Sequence, residues 1–420
     1  MQRILFLIVY ILVAHVAMQA VDPTATIYNN EECQGSLRPY PMPESAYDYP
    51  DTLTPVFINH VGRHGSRFPA SATNCVTMRR ALLHADSIGT ITKLGREFLE
   101  LTDYVIARSN NQWGALDSLG MAEHRGIASR MFSNFPQVLS GGNIKAISSY
   151  SPRCIMSMYS FTHQLSRLNN RLEIETVSGR DQSVLMRPFD VDQEYIEFRK
   201  DDEAMKPYDE YILHAIPLEP LHRILGESYP YDAIDARSLA LVQYYVIAGM
   251  SAMQVECDAS RYFTTEEYNR LWSCFNMRQY IQRTSTTIST IPADIASPLL
   301  LDIIGTTDAV VEGRSSLKAV LRFGHAETMM PLLSLMRIDG CYYKTNYFDT
   351  VAKNWRDFDV VPMAANLQMI LFRNSKGEYF VRFDRNEKPC AVLPGSDDVY
   401  VPWNVMREYL MRCVPIYYQL

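Results

Sequence analysis

The chain has 420 residues, 47% of them hydrophobic and 21% charged, which is a globular composition rather than a disordered one. That length holds one large α/β domain with an insertion, or two ordinary domains, and the absence of a repeat or low-complexity tract excludes a solenoid or propeller. A formal net charge of −7 argues against broad nucleic-acid binding, although a local cluster of arginines can still hold a small anion on an acidic protein.

Residues 1–20 read as a signal peptide: Arg3 supplies the positive start, Ile4 to Val16 is apolar, and Ala17 and Ala20 are the small residues before a cleavage point. The apolar part is shorter than the roughly 20 residues of a membrane span, so an uncleaved anchor is the lesser alternative. Removing the leader takes one arginine, leaving 39 basic against 47 acidic residues and a net charge of −8. Later segments are not apolar enough to cross a bilayer, so the expectation is export to the periplasm, outer envelope or medium without stable membrane insertion. Cys33, Cys75, Cys154, Cys257, Cys274, Cys341, Cys390 and Cys413 remain, an even count that permits disulfides in an exported chain but does not reveal their pairing. They make no Cys-x-x-Cys pair, and Asn-x-Ser/Thr sequons are absent, which leans toward a bacterial envelope.

Three segments share a pattern of β-type run, abrupt loop and helical stretch. Pro55 to Val61 leads into Gly62-Arg63-His64-Gly65. Ile144 to Tyr150 leads into Ser151-Pro152-Arg153 and a helix to Leu168. Lys318 to Phe323 leads into Gly324-His325-Ala326-Glu327 and a helix from Met329 to Arg337. Between the first two, Gly114 to Phe135 reads as a loop and a helix, and Arg171 to Ser178 alternates as a further strand. From about Asp190 to Arg283 the pattern turns helical, with Ser238 to Met253, then Thr265 to Ile281 behind a capping box at Thr264 and Glu267. The fold class expected is therefore α/β: a mostly parallel central sheet with helices on both faces, formed by residues 21–189 and 284–420, plus a mostly helical cap inserted at 190–283. Ligands of such sheets bind beyond the carboxyl ends of the strands, where all three polar clusters fall.

Arg63-His64-Gly65-Ser66-Arg67-Phe68-Pro69 brackets a histidine with two guanidinium groups in a glycine-bounded loop. Guanidinium forks neutralise phosphate oxygens, and a neutral imidazole nitrogen can attack phosphorus. An ordinary basic surface loop is the bland reading of an isolated Arg-His pair. The whole stretch resembles the Arg-His-Gly-x-Arg-x-Pro signature of the histidine acid phosphatases. Leu119-Gly120, Glu123-His124 and Ser148 to Arg153 resemble that family's intermediate blocks, and the resemblance runs from about Asn59 to Arg337. Many members carry His-Asp in the last cluster; His325-Ala326-Glu327 here is similar to the multiple inositol polyphosphate phosphatase branch.

The resemblance implies a phosphoglycerate mutase-like fold and hydrolysis of phosphate monoesters, inositol hexakisphosphate among them, through a phosphohistidine. His64 would be the nucleophile and Glu327 the proton donor, with Arg63, Arg67, Arg153 and His325 around the transferred phosphate. No metal or cofactor is expected. Arg187 and Arg278 are candidates for more distal phosphate contacts on a polyphosphorylated substrate. A broad acid or sugar-phosphate phosphatase is the nearest alternative, and a non-catalytic anion-binding protein on the same fold the more distant one. His84-Ala85-Asp86 also spells a His-x-acid pattern, but it falls on a helix surface close behind the first motif.

Overall fold

Residues 53–63 alternate between two apolar environments, and that alternation builds the centre of the sheet. Phe57 and Val61 enter one hydrophobic core and Ile58 another, as the period of two demands of a strand covered on both faces. A computed structural model of the chain describes residues 27–43 and 48–419. The expected leader, residues 1–20, lies outside them. Among the described residues no helix is long and apolar enough to cross a membrane.

In chain order, strand β1 (Leu53–Arg63) leads through the arginine-histidine loop to helices α1 (Thr73–Ser87), α2 (Lys93–Ser109) and α3 (Ser118–Asn134). Strand β2 (Gly142–Ser148), helix α4 (Pro152–Leu168) and strand β3 (Leu172–Ser178) follow. Helices α5 (Asp202–Ala215), α6 (Ala236–Ala248) and α7 (Thr265–Arg283) come next, then α8 (Ser297–Val311). Strand β4 (Ala319–Gly324) and helix α9 (Ala326–Leu335) complete the third strand-loop-helix unit. The chain ends with β5 (Asn366–Asn374), β6 (Tyr379–Arg385), β7 (Lys388–Cys390), β8 (Val401–Pro402) and α10 (Trp403–Cys413).

The sheet runs β3-β2-β4-β1-β5-β6-β7, with β8 on β6. Its first four strands are parallel, as the alternation of strands and helices implied. The remaining strands add an antiparallel flank on β1. Helices α3 and α4 cover one face through Ile127, Met131, Phe161 and Leu165, which pack on Ile58, Ala146 and Leu321. Helices α8, α9 and α10 cover the other through Leu300, Met329 and Leu410.

A third apolar cluster packs the inserted helices against two helices of segment 21–189. It joins Met78 and Leu82 of α1 and Phe98 of α2 to Tyr244, Leu271 and Trp272 of α6 and α7. The expected capping box starts α7: Thr264 N–H donates to Glu267 Oε2 (2.7 Å), and Glu267 N–H donates to Thr264 Oγ1 (3.2 Å). Residues 28–40 form a strap between cap and sheet. Tyr28 exchanges two 2.8 Å hydrogen bonds with Asn269 of α7, its hydroxyl donates to Ala352 O, and Tyr40 N–H donates to Glu123 of α3. The eight cysteines, for which disulfides were open, are all separate thiols.

Helix α3 lies directly on the loop after β1 because two glycines face each other. A Cβ on Gly120 would sit 2.2 Å from Ser66 O, and one on Gly65 would sit 2.6 Å from Gly120 Cα. The contact lets Glu123 take both Ser66 N–H (2.7 Å) and Ser66 Oγ–H (2.6 Å). Gly120→Ala is expected to push helix and loop apart and cost about 1–3 kcal/mol, as overpacking of a tight contact does. Urea unfolding measures it, and a midpoint equal to that of the unmodified chain would contradict this close packing.

Candidate active site

Strand register alone brings the three polar loops to one edge. Arg63 pairs opposite Gly324, and Ser148 opposite Phe323, so the loops leaving β1, β2 and β4 start side by side. His64 N–H donates to Gly324 O (3.0 Å), and Ser149 N–H donates to Phe323 O (2.9 Å). The segment leading into β5 closes the other side, where Ala364 N–H donates to His64 O (3.0 Å). Ala364 holds φ +55°, a left-handed conformation that costs a non-glycine residue energy, so the backbone around His64 is tightly determined.

His64 is 3% exposed. Its Nδ1 lies 3.0 Å from Gly65 O. A carbonyl can only accept, so Nδ1 carries the hydrogen and Nε2 keeps its lone pair. Burial, then the charges of Arg63, Arg153 and Arg67 and the ring of His325, push the imidazole pKa well below its ordinary value. A neutral ring with a free lone pair is the form a nucleophile needs.

The arginines around it donate to neutral groups. Arg63 Nη1 donates to Ser36 O (2.5 Å) and Val361 O (2.6 Å), and Arg67 Nη1 donates to Phe68 O (2.8 Å). Arg153 Nη2 lies 3.2 Å from His325 Nδ1. Burial, followed by repulsion from Arg153 and Arg63, pulls Arg67 down to about 9; burial pulls Arg63 down to about 10 although Glu327 and Asp357 oppose it. Crowded guanidinium groups of this kind make a strong local field for an oxyanion on an otherwise acidic protein.

His325 Nε2 lies 3.0 Å from Ser149 Oγ and 2.8 Å from Arg187 Nη1. Burial lowers its pKa to about 3 against the pull of Glu327, with Arg153 and Arg187 adding to the decrease. Glu327 stands in the first turn of α9, where the helix dipole favours a carboxylate. Its side chain is 34% exposed to the cleft, and Arg283 Nη2 approaches Oε1 at 3.5 Å. Burial opposes its charge, yet Arg283, His325 and Arg63 together hold the carboxyl at about 2. Arg63, His64, Arg67, Arg153 and Glu327 line a cleft of about 320 Å³, to which Tyr245, Phe275 and Gln279 add from the cap.

The structure thus gathers Arg63, His64, Arg67, Arg153, His325 and Glu327 in one place. Arg187, expected farther out, lies against His325, stacks on Tyr150 and Phe189, and pairs with Asp190 Oδ2 at 2.5 Å. Arg278 stays outside this group, exposed on α7 beside Tyr245. A larger apolar cavity of about 370 Å³ between α1 and α6 contains His84, but that ring is exposed and bonded to Tyr229 OH (3.1 Å), with no cluster of cations in the lining.

Residues 56–384 match the histidine phosphatase superfamily, branch 2. The chain belongs to this family. It is 27% identical over 380 residues to multiple inositol polyphosphate phosphatase 1 of Gallus gallus, covering 83% of this chain and 80% of the relative. The Homo sapiens protein of the same name is 26% identical over 395 residues, covering 84% and 78%. The fold is similar to that of the Bifidobacterium longum multiple inositol polyphosphate phosphatase in complex with inositol hexasulfate, with TM-score 0.75, 20% identity and coverage of 92% and 99% of the two chains.

Several supporting residues of this phosphatase carry no signal in the sequence. Asp357 accepts from Trp272 Nε1 (2.9 Å) and from Ser36 N–H (2.8 Å), and so aligns the strap carbonyl that receives Arg63. Burial pushes its carboxyl up to about 6 despite those hydrogen bonds and the nearby Arg63. Arg283 and its hydrogen-bond partner Tyr195 flank Glu327 from outside the motifs.

Inorganic phosphate at about 100 times its dissociation constant is expected to stabilise the fold by about 2.7 kcal/mol through mass action. Arg153→Gln should shrink that gain by weakening binding. Thermal unfolding with and without phosphate reads it, and an equal gain in both proteins would separate Arg153 from the anion site.

Proposed function

We propose that this phosphatase removes phosphates from inositol polyphosphates, inositol hexakisphosphate included, through a phosphohistidine on His64. One observation carries the reading: a neutral imidazole with its Nε2 lone pair free sits among Arg63, Arg67 and Arg153 with a carboxyl group in the same cleft. The names of the relatives and the His325-Ala326-Glu327 sequence favour an inositol polyphosphate over a simple monoester.

In the first step His64 Nε2 bonds to phosphorus, and the bond from phosphorus to the ester oxygen breaks. Glu327 gives its proton to the departing alkoxide. Arg63, Arg67, Arg153 and His325 hold the phosphoryl oxygens, with Arg187 placed to act through His325 or on a neighbouring phosphate. In the second step Glu327 takes a proton from water as its oxygen attacks phosphorus, the phosphorus–nitrogen bond breaks, and inorganic phosphate leaves with His64 neutral again. Glu327 must be protonated for the first step although Arg283 and His325 hold it ionised. A substrate dianion among the arginines supplies the opposing charge that raises its pKa.

A panel of monoesters tests the substrate. Inositol hexakisphosphate should surpass sugar phosphates in kcat/KM by more than a few-fold. Parity across the panel would favour a broad acid phosphatase instead. Glu327→Gln should lower phosphate release from alkyl esters by about 10²–10⁴-fold, the range for lost acid–base catalysis.

The pH dependence follows from His64. Its depressed pKa keeps the lone pair available as pH falls through about 6.5, the ordinary value for an imidazole. Activity is therefore expected to persist at pH 5. A tenfold loss per unit below about 6.5, unchanged between substrates, would mean that the ring titrates normally. Export is part of the same proposal, supported by the leader-like residues 1–20; an N-terminal sequence of the mature protein beginning near Val21 is the expected result.

A further inference from the structure

We propose that Arg283, the last residue of the cap helix α7, is the positioning residue for the Glu327 carboxyl and joins the cap to the proton-transfer step. The inference rests on the reading of Glu327 as proton donor. Arg283 is 8% exposed, and its guanidinium is shared between two partners. Nη2 lies 3.5 Å from Glu327 Oε1, and Nη1 donates to Tyr195 OH. Tyr195 is itself fully buried, and its hydroxyl donates to Gln282 O (2.9 Å), the carbonyl next to Arg283. The fork is therefore fixed from behind, and its free edge meets the carboxyl.

Two physical effects follow from this arrangement. A planar guanidinium restricts where a flexible glutamate can place its oxygens, which matters because a small displacement of a reacting group costs rate heavily. The fixed positive charge also favours the ionised carboxyl, and it comes from a residue outside the arginine loop. The groups facing Glu327 are Arg283 and Tyr195 from the cap side, Arg63 and Arg67 from the loop after β1, Cys154 from α4, and His325 on its own loop. Arg63, Arg67 and His325 surround the phosphate site, so an arriving phosphate engages their charge or hydrogen bonds. Arg283 already has its partners in Glu327 and Tyr195, which leaves it as the cation whose influence on the carboxyl persists when substrate binds.

The test is kcat against pH, which reports groups in the enzyme–substrate complex, with kcat/KM alongside, for the unmodified enzyme and for Arg283→Gln, Arg283→Lys, Tyr195→Phe and Glu327→Gln, each with p-nitrophenyl phosphate and glycerol 2-phosphate. A nitrophenolate leaves with little help, whereas an alkoxide needs the proton. Arg283→Gln should lose on the order of tenfold more rate on the alkyl ester than on the aryl ester. Its loss of positive charge lets Glu327 keep its proton to higher pH, so the basic limb should move up by about one unit. Arg283→Lys should return the limb to its place, because charge is kept, while the alkyl-ester loss remains, because the fork is gone. Equal losses on both esters with an unmoved limb would overturn the inference and leave Arg283 a structural or substrate-binding residue.

If Arg283→Gln does not fold, Arg283→Lys and Tyr195→Phe decide by the same selective loss on the alkyl ester. Glu327→Gln separates this failure from the wider one. Ester dependence in Glu327→Gln without it at Arg283 sinks only the positioning role, whereas none in Glu327→Gln sinks the proton-donor reading itself.

Discussion

Crowding positive charge around an uncharged imidazole is the constraint on which the rest of the structure depends. Guanidinium groups repel one another, and burial raises the cost of each, so they remain together only where the backbone leaves them no alternative. Parallel pairing of β1 and β2 with β4 provides that compulsion, since it fixes where the loops begin. Carbonyl oxygens of Ser36, Val361 and Phe68 take the arginine hydrogens without cancelling their charge. The site therefore keeps its field for an incoming anion, and burial together with that field keeps His64 a free base.

Much of this was legible because the chemistry sits where local signals are strong. The strand-loop-helix units at 55–65, 144–153 and 318–327 show their β-type runs and glycine or proline breaks in single file, and each appears as a strand with its polar loop at the carboxyl end. The Thr264 and Glu267 capping box is likewise a local signal, with both of its hydrogen bonds formed. What stayed hidden depends on distance along the chain. The antiparallel strands after residue 366 follow the last motif, and their ladders with β1 and with each other are long-range pairings that no spacing announces. Arg187 illustrates the same limit: its sequence position suggested an outer contact, but the turn at Pro188 and the stack on Tyr150 bring it back to His325. Arg283 and Asp357 have no motif at all, and their roles exist only through partners far away in sequence.

The cap does more than roof the cleft. Trp272 reaches Asp357, Asp357 holds Ser36, and Ser36 receives Arg63, so a line of hydrogen bonds runs from the cap core to the loop that carries His64. Gly120 and Glu123 brace the same loop from the opposite side. Rigid support on two sides suits a site whose catalytic power comes from preorganised charge rather than from movement of its groups.

Covalent capture of the phosphoryl group on His64 is the claim closest to the chemistry. The sharpest measurement mixes Glu327→Gln protein with a ³²P-labelled aryl phosphate, quenches with denaturant at alkaline pH, and maps the label by peptide. The aryl group leaves without a proton donor, and the missing base should let the intermediate accumulate, so near-stoichiometric label on the peptide containing His64 is expected. Turnover of the aryl ester without labelled protein, or label on any other residue, would contradict a phosphohistidine at this site.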